Sequence, residues 1–234
     1  GVIGWTEHVR NDFSDEQITN VLRKLKDNDI TAIGMCGHTN IQTKEGQETF
    51  KRNLDLAHKL GVQYVTLSTG ETHGDESKIE DDSELVNIIK DLGNHAAKLG
   101  LTMAIETHGA NYATGQSIIA LLKKVNMPNV RLNYDTGNVV FYGGIMPYED
   151  LEASTGSITG IHLKEKAGAQ AEWNFPAIGR GDLDFDRILK TLKKNGCKAA
   201  LSIEIEFTPE GPKGVEDVHE SLAYSVATIK KLAA

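Results

Sequence analysis

A chain of 234 residues with charged residues at 25% and no long apolar run is sized for one soluble core. Nothing in it approaches the ~18 consecutive apolar residues of a membrane span. The net charge of −8 argues against nucleic acid as the main partner, and the two cysteines, Cys36 and Cys197, lack the spacing of a metal site and the number of a disulfide framework; this points to a reduced, cytoplasmic enzyme domain.

In chain order, Val2 to His8 reads as a short strand. Ser14 and Gln17 form a capping box for a helix that carries Ile18, Val21, Leu22 and Leu25 at helical spacing. Ile30 to Cys36 is the next predicted strand, ending at Gly37 and His38. A helix with Phe50, Leu54, Ala57 and Leu60 on one face closes at Gly61. Tyr64 to Ser68 is a strand that runs out into Thr69 to Gly74, where His73 sits. The third helix spans about Ser83 to Leu99, with Gly100 after it. In Thr102 to Gly109 an apolar run ends in Glu106 and His108, which share a face with Ala104 because strand side chains alternate. A helix through Ile118, Ile119, Leu122 and Val125 is stopped by Pro128, and the strand Val130 to Tyr134 delivers Asp135. A weaker helix from Tyr148 to Ala153 precedes a strand around Ile158 to Leu163, which carries His162 and leads to Lys164 and Glu165. A long loop, Lys166 to Gly181, holds Trp173, Phe175, Pro176 and Arg180. Phe185, Ile188, Leu189 and Leu192 mark a helix closed by Gly196, the strand Ala199 to Ile205 carries Glu204, and Val215 to Ile229 is the last helix.

Strict alternation of strand and helix implies a parallel sheet with helical crossovers. Seven strands, each with its helix, fit a (β/α) TIM-type barrel forming a single domain over 1–234, with an open doubly wound sheet as the alternative. The placement of polar groups separates the two. His8, His38, His73, His108 and His162 fall at or just past strand ends, as functional groups do on a barrel. An open sheet would favour a glycine-rich phosphate turn after its first strand, and no such turn follows Trp5.

Four successive strands end in Glu106, Asp135, His162 and Glu204, and a barrel brings such ends together on one axis. Carboxylates with one imidazole suit a divalent cation such as Mn²⁺, Mg²⁺ or Co²⁺, and the lack of cysteine ligands speaks against structural zinc. The plainer reading of any one of them is a helix cap or a lysine's ion-pair partner; for the four together the metal site is favoured.

The stretches Ala104-Ile105-Glu106-Thr107-His108, Tyr134-Asp135-Thr136-Gly137-Asn138, Ile161-His162-Leu163-Lys164-Glu165, Gly179-Arg180-Gly181-Asp182-Leu183-Asp184-Phe185 and Ser202-Ile203-Glu204-Ile205-Glu206 follow one another in an order that resembles the xylose-isomerase-like TIM-barrel superfamily of sugar isomerases and epimerases. The resemblance implies that Glu106, Asp135, His162 and Glu204 are metal ligands, and that Glu106 and Glu204 flank the substrate and exchange protons with it. The Gly137-Asn138 pair and His162-Leu163-Lys164 resemble the ketose-phosphate 3-epimerase branch; many members have histidine where Asn138 stands. Members usually have eight strands, and Gly1 to Trp5 matches their second strand better than their first. One strand and one helix of that architecture are therefore expected to be absent, either through an N-terminal truncation or as an open seam in the barrel, and truncation would expose a seam that a partner subunit can cover.

The implied substrate is a small-molecule sugar, with no nucleic acid or membrane partner. A cation polarising a ketose carbonyl and its neighbouring hydroxyl promotes proton loss to an enediolate, and return of the proton gives epimerisation or isomerisation. Loss of a β-hydroxyl would give a dehydratase acting on keto-inositols or 3-keto sugars through the same ligands. His73, His108, Asn138, Lys164 and Arg180 are the substrate-binding candidates; Lys164 is equally a partner for Glu106 or Glu165, and His108 a support for Glu106. Glu206 shares a face with Glu204 and competes with it as ligand, while Trp5 and Trp173 are candidate walls of a sugar pocket. A DNA-repair endonuclease on this fold would need a histidine-richer site and basic flanks, and a barrel without chemistry would not retain the full acidic set.

Overall fold

The computed structural model describes residues 9–70 and 79–233. The predicted strand Val2 to His8, with Trp5, and the histidine His73 lie outside the described residues. The other six predicted strands are present, the first three pairing in parallel with one another and the last three likewise, and helices alternate with them. The described residues divide into two compact units, 9–70, 79–106 and 121–131 in one, and 107–120 and 132–233 in the other.

In the first unit, α1 (Asp15–Asp27) starts at the expected capping box: the Ser14 hydroxyl accepts from the Gln17 N–H and the Gln17 side chain accepts from the Ser14 N–H. β1 (Gly34–Cys36) is shorter than the predicted Ile30 to Cys36. Ile30 and Ile33 are exposed rather than laddered, and the Ile33 carbonyl accepts from the Gln63 N–H. α2 (Lys44–Leu60) buries Phe50, Leu54 and Ala57 and ends where Gly61 turns left-handed at φ 71°. β2 (Tyr64–Leu67) is buried throughout, and β3 (Thr102–Glu106) pairs with it from Tyr64↔Thr102 to Leu67↔Ile105. α3 (Ser83–Lys98) lays Leu85, Ile89, Leu92 and Ala96 into this core. Such buried side chains each contribute about 1.5–3 kcal/mol, and the apolar runs of β2 and β3 are the mark of strands covered on both faces.

The second unit holds the start of α4 (Gly115–Val125) and most of β4 (Val130–Asp135), followed directly by α5 (Thr136–Phe141). After it come α6 (Pro147–Ser154), β5 (Ile158–Lys164), α7 (Phe185–Lys194), β6 (Ala200–Glu204) and α8 (Val215–Ala233). β5 pairs with β4, ending Asp135↔His162, and with β6, ending Lys164↔Glu204. These registers bring the polar strand ends level with one another. Tyr134 is fully buried; its hydroxyl reaches Asp150 Oδ2 at 2.9 Å and the Pro147 carbonyl at 3.1 Å, which ties β4 to α6. The long loop after β5 is organised by Glu165. Its buried carboxylate accepts N–H groups from Lys166, Gly179 and Leu183 at 2.8–3.0 Å. Gly181 leaves the space this requires, since a Cβ there would sit 2.6 Å from Glu165 Cγ.

Candidate metal centre

Asp135 ends β4 fully buried and is the N-cap of α5. Its Oδ1 accepts from the Gly137 N–H at 2.9 Å and the Asn138 N–H at 2.8 Å, and its own N–H donates to Thr107 Oγ1 at 2.9 Å. These bonds fix the carboxylate so that Oδ2 is directed to the neighbouring strand, 3.6 Å from His162 Nδ1 and 3.8 Å from Lys164 Nζ. One oxygen of Asp135 thus caps α5, while the other faces His162 and Lys164.

His162 and Lys164 stand two apart on β5 and share a face. His162 Nδ1 lies 2.6 Å from Glu204 Oε2. Asp135, His162 and Glu204 each offer a ligand atom, and these atoms lie within 4.8 Å of one another. Lys164 is 3% exposed, with Nζ 3.3 Å from Glu204 Oε1, 2.5 Å from Glu206 Oε2 and 3.1 Å from Asn138 Oδ1, and 4.6 Å from the centre of the Phe175 ring. Burial works to lower its pKa, but the charges of Asp135, Glu204 and Glu206 outweigh this and hold it above the ordinary lysine value. Lys164 is therefore a firm cation.

With His162 left out of the count, three carboxylates against that one cation leave the cluster two negative charges in excess. Converging negative charge of this kind is costly in a poorly solvated site unless a cation joins it. Oxygen donors with one imidazole nitrogen fit a divalent ion such as Mg²⁺ or Mn²⁺.

Among the remaining predicted residues, Glu106 ends β3 in the first unit at 3% exposure, with its Oε2 2.8 Å from His38 Nε2. Of the alternatives left open at the strand ends, Glu204 meets His162 and Glu206 binds Lys164. Glu165, one of the partners considered for Lys164, turns its carboxylate to the backbone of its own loop, and Lys164 pairs with Glu204 and Glu206. The reason is alternation: Lys164 shares its face with His162, and Glu165 takes the opposite one. Asn138 spends its carbonyl oxygen on Lys164. His108 Nε2 is 3.1 Å from the Tyr142 hydroxyl, and the Arg180 guanidinium stacks 4.4 Å over the Tyr224 ring of α8.

Two features escaped the sequence reading. α5 follows β4 without a loop, and its last turn carries Phe141 and Tyr142 toward His108, Trp173 and Phe175. An aspartate four residues before the run Val139-Val140-Phe141-Tyr142 is an N-cap signal that could have located it. The second is Glu165, whose neighbouring lysine drew the attention. No described helix is long and apolar enough to cross a membrane.

Comparison with known proteins agrees with this architecture. An inosose dehydratase of Clostridium botulinum is 27% identical over 208 residues, covering 72% of this chain and 67% of its own. An L-ribulose-5-phosphate 3-epimerase of Escherichia coli is 24% identical over 217 residues, covering 87% and 75%. Among solved structures, a xylose isomerase domain protein from Planctomyces limnophilus superposes with a TM-score of 0.77 at 23% identity, over 99% of this chain and 87% of that one. A D-psicose 3-epimerase solved in the presence of D-fructose gives 0.76 at 18% identity, over 95% and 86%. The model of the xylose isomerase-like TIM barrel matches residues 2–225, and the chain belongs to that family.

Proposed function

We propose that the protein is a divalent-metal-dependent epimerase or isomerase acting on a sugar or sugar phosphate by proton transfer at the carbon beside a carbonyl. The observation that carries this reading is the Asp135–His162–Glu204 cluster with its excess negative charge. Glu106 is assigned as the fourth ligand, at the strand end preceding that of Asp135, in line with the resemblance to the sugar epimerases.

When bound, a divalent ion supplies electrophilic polarisation of the substrate's carbonyl and hydroxyl oxygens, and so acidifies the intervening C–H. The chain's own residues do the rest. Glu204 and Glu106 take the proton from one face and return it from the other, which inverts the carbon. Lys164 holds Glu204 through Oε1, leaving Oε2 toward His162. Thr107 and the α5 N–H groups hold Asp135, and His108 with Tyr142 orients substrate hydroxyls. His73 and Arg180 remain assigned to outlying substrate groups.

A dehydratase is the second reading, favoured by the similarity to inosose dehydratase. Incubation with Mn²⁺ and a ketose panel in D₂O separates the two. Deuterium at the carbon beside the carbonyl, without loss of water, is the expected result; an unsaturated product would establish the lyase. Glu106→Gln is expected to abolish exchange while leaving the circular dichroism spectrum unchanged, and near-normal exchange would refute its assignment.

A further inference from the structure

We infer that the substrate of this site is a neutral, unphosphorylated ketose, held against an aromatic shelf rather than by a phosphate anchor. The inference rests on the sugar-processing reading above and names the substrate class within it.

A phosphate on a barrel of this kind is ordinarily received by backbone N–H groups in the loops after the strands, by helix N-termini at that face, or by a cation. In the second unit several of these positions already hold one of the chain's own groups. The backbone N–H groups of Lys166, Gly179 and Leu183, which could cradle an anion, converge on the buried Glu165 carboxylate. At the start of α4, the Gly115 and Gln116 N–H groups donate to the two oxygens of Asp150 at 2.7 and 3.1 Å. At the start of α7, the Arg187 N–H donates to Asp184 Oδ1 at 2.9 Å, and before α8 the Lys213 N–H donates to Asp217 Oδ2 at 3.0 Å. A phosphate would have to displace a carboxylate at any of them.

The two lysines at the end of β5 and the start of its loop are committed in the same way. Lys164 answers Glu204 and Glu206, and Lys166 is buried with Nζ on the carbonyls of Ala167, Gly168 and Ala169, while Arg180 is exposed and stacks on the Tyr224 ring. What continues outward from Lys164 is aromatic. Phe175 under Lys164 meets Phe141 at 5.4 Å and Trp173 at 5.1 Å between ring centres, and Phe141 meets Tyr142 at 4.8 Å. Phe141, Tyr142 and Trp173 are half-buried. Tyr142 and His108 give this shelf a hydroxyl-binding edge. Aromatic faces suit the C–H side of a sugar; their negative quadrupole, beside Glu204 and Glu206, disfavours a dianion.

The test uses the Mn²⁺-loaded full chain, with metal uptake measured first by calorimetry. Solvent-deuterium exchange is then followed by NMR on D-fructose, D-tagatose and D-psicose and on their phosphate esters, with inorganic phosphate as a competitor. The expected result is a kcat/KM at least tenfold higher for a free ketose than for its ester, with no inhibition by millimolar phosphate. Trp173→Ala is expected to raise KM for the free ketose about fivefold or more, with metal affinity unchanged. An ester preferred tenfold, competitive inhibition by phosphate, or an unaltered KM in Trp173→Ala would overturn the inference. Metal uptake with no exchange on any ketose, esterified or not, would instead remove the epimerase reading on which it rests.

Discussion

Asp135→Asn is expected to weaken binding of Mn²⁺ on the order of a hundredfold or more and to remove turnover, while leaving thermal stability almost unchanged. The two halves of that result come from the two oxygens. The amide of asparagine keeps an acceptor for the Gly137 and Asn138 N–H groups, and asparagine caps helices about as well as aspartate. The α5 cap therefore survives. Near His162 Nδ1 and Lys164 Nζ, however, the substitution replaces a charged oxygen with a neutral group. Calorimetric titration of the stripped protein, with a thermal melt of the same sample, reads both effects. A large loss of stability with metal affinity intact would mean that Asp135 serves only the helix.

The second large effect is expected at Lys164. Lys164→Met keeps much of the side-chain volume against Phe175 but leaves Asp135, Glu204 and Glu206 facing one another without their cation. Removing one partner from a buried ionic cluster costs about 3–5 kcal/mol, most of it from the charges left behind. The metal-free variant should therefore unfold at clearly lower denaturant than the wild type. Mn²⁺ should stabilise the variant more than it stabilises the wild type, because a divalent cation replaces the missing charge. Denaturant melts of both proteins with and without Mn²⁺ check this. An equal gain from metal in the two proteins would show that Lys164 and the ion do not share the same carboxylates.

Most of the fold was legible because the chain punctuates its elements with standard chemistry. Ser14 and Gln17 form their capping box, Gly61 closes α2 left-handed, and the β2 and β3 apolar runs are buried as expected. Where periodicity misled, tertiary pairing decided. Ile30 to Ile33 are apolar enough for a strand, but the ladder begins only at Gly34. The donors Asp135, His162 and Glu204 were readable because carboxylates and an imidazole at the ends of buried strands demand an explanation. Their supports were less so. Glu165 sits beside Lys164 in sequence, yet its role depends on a loop that returns at Gly179 and Leu183. No spacing rule encodes that return. The Tyr142–His108 contact depends likewise on α5 following β4 without a break.

The central claim is that Asp135, His162 and Glu204 hold a divalent cation. Anomalous diffraction at the manganese edge from crystals grown with Mn²⁺ tests it most directly. The expected result is one strong peak per chain, bounded by Asp135 Oδ2, His162 Nδ1 and Glu204 Oε2 and lost in Asp135→Asn crystals. A peak elsewhere, or none at full metal saturation, would contradict it.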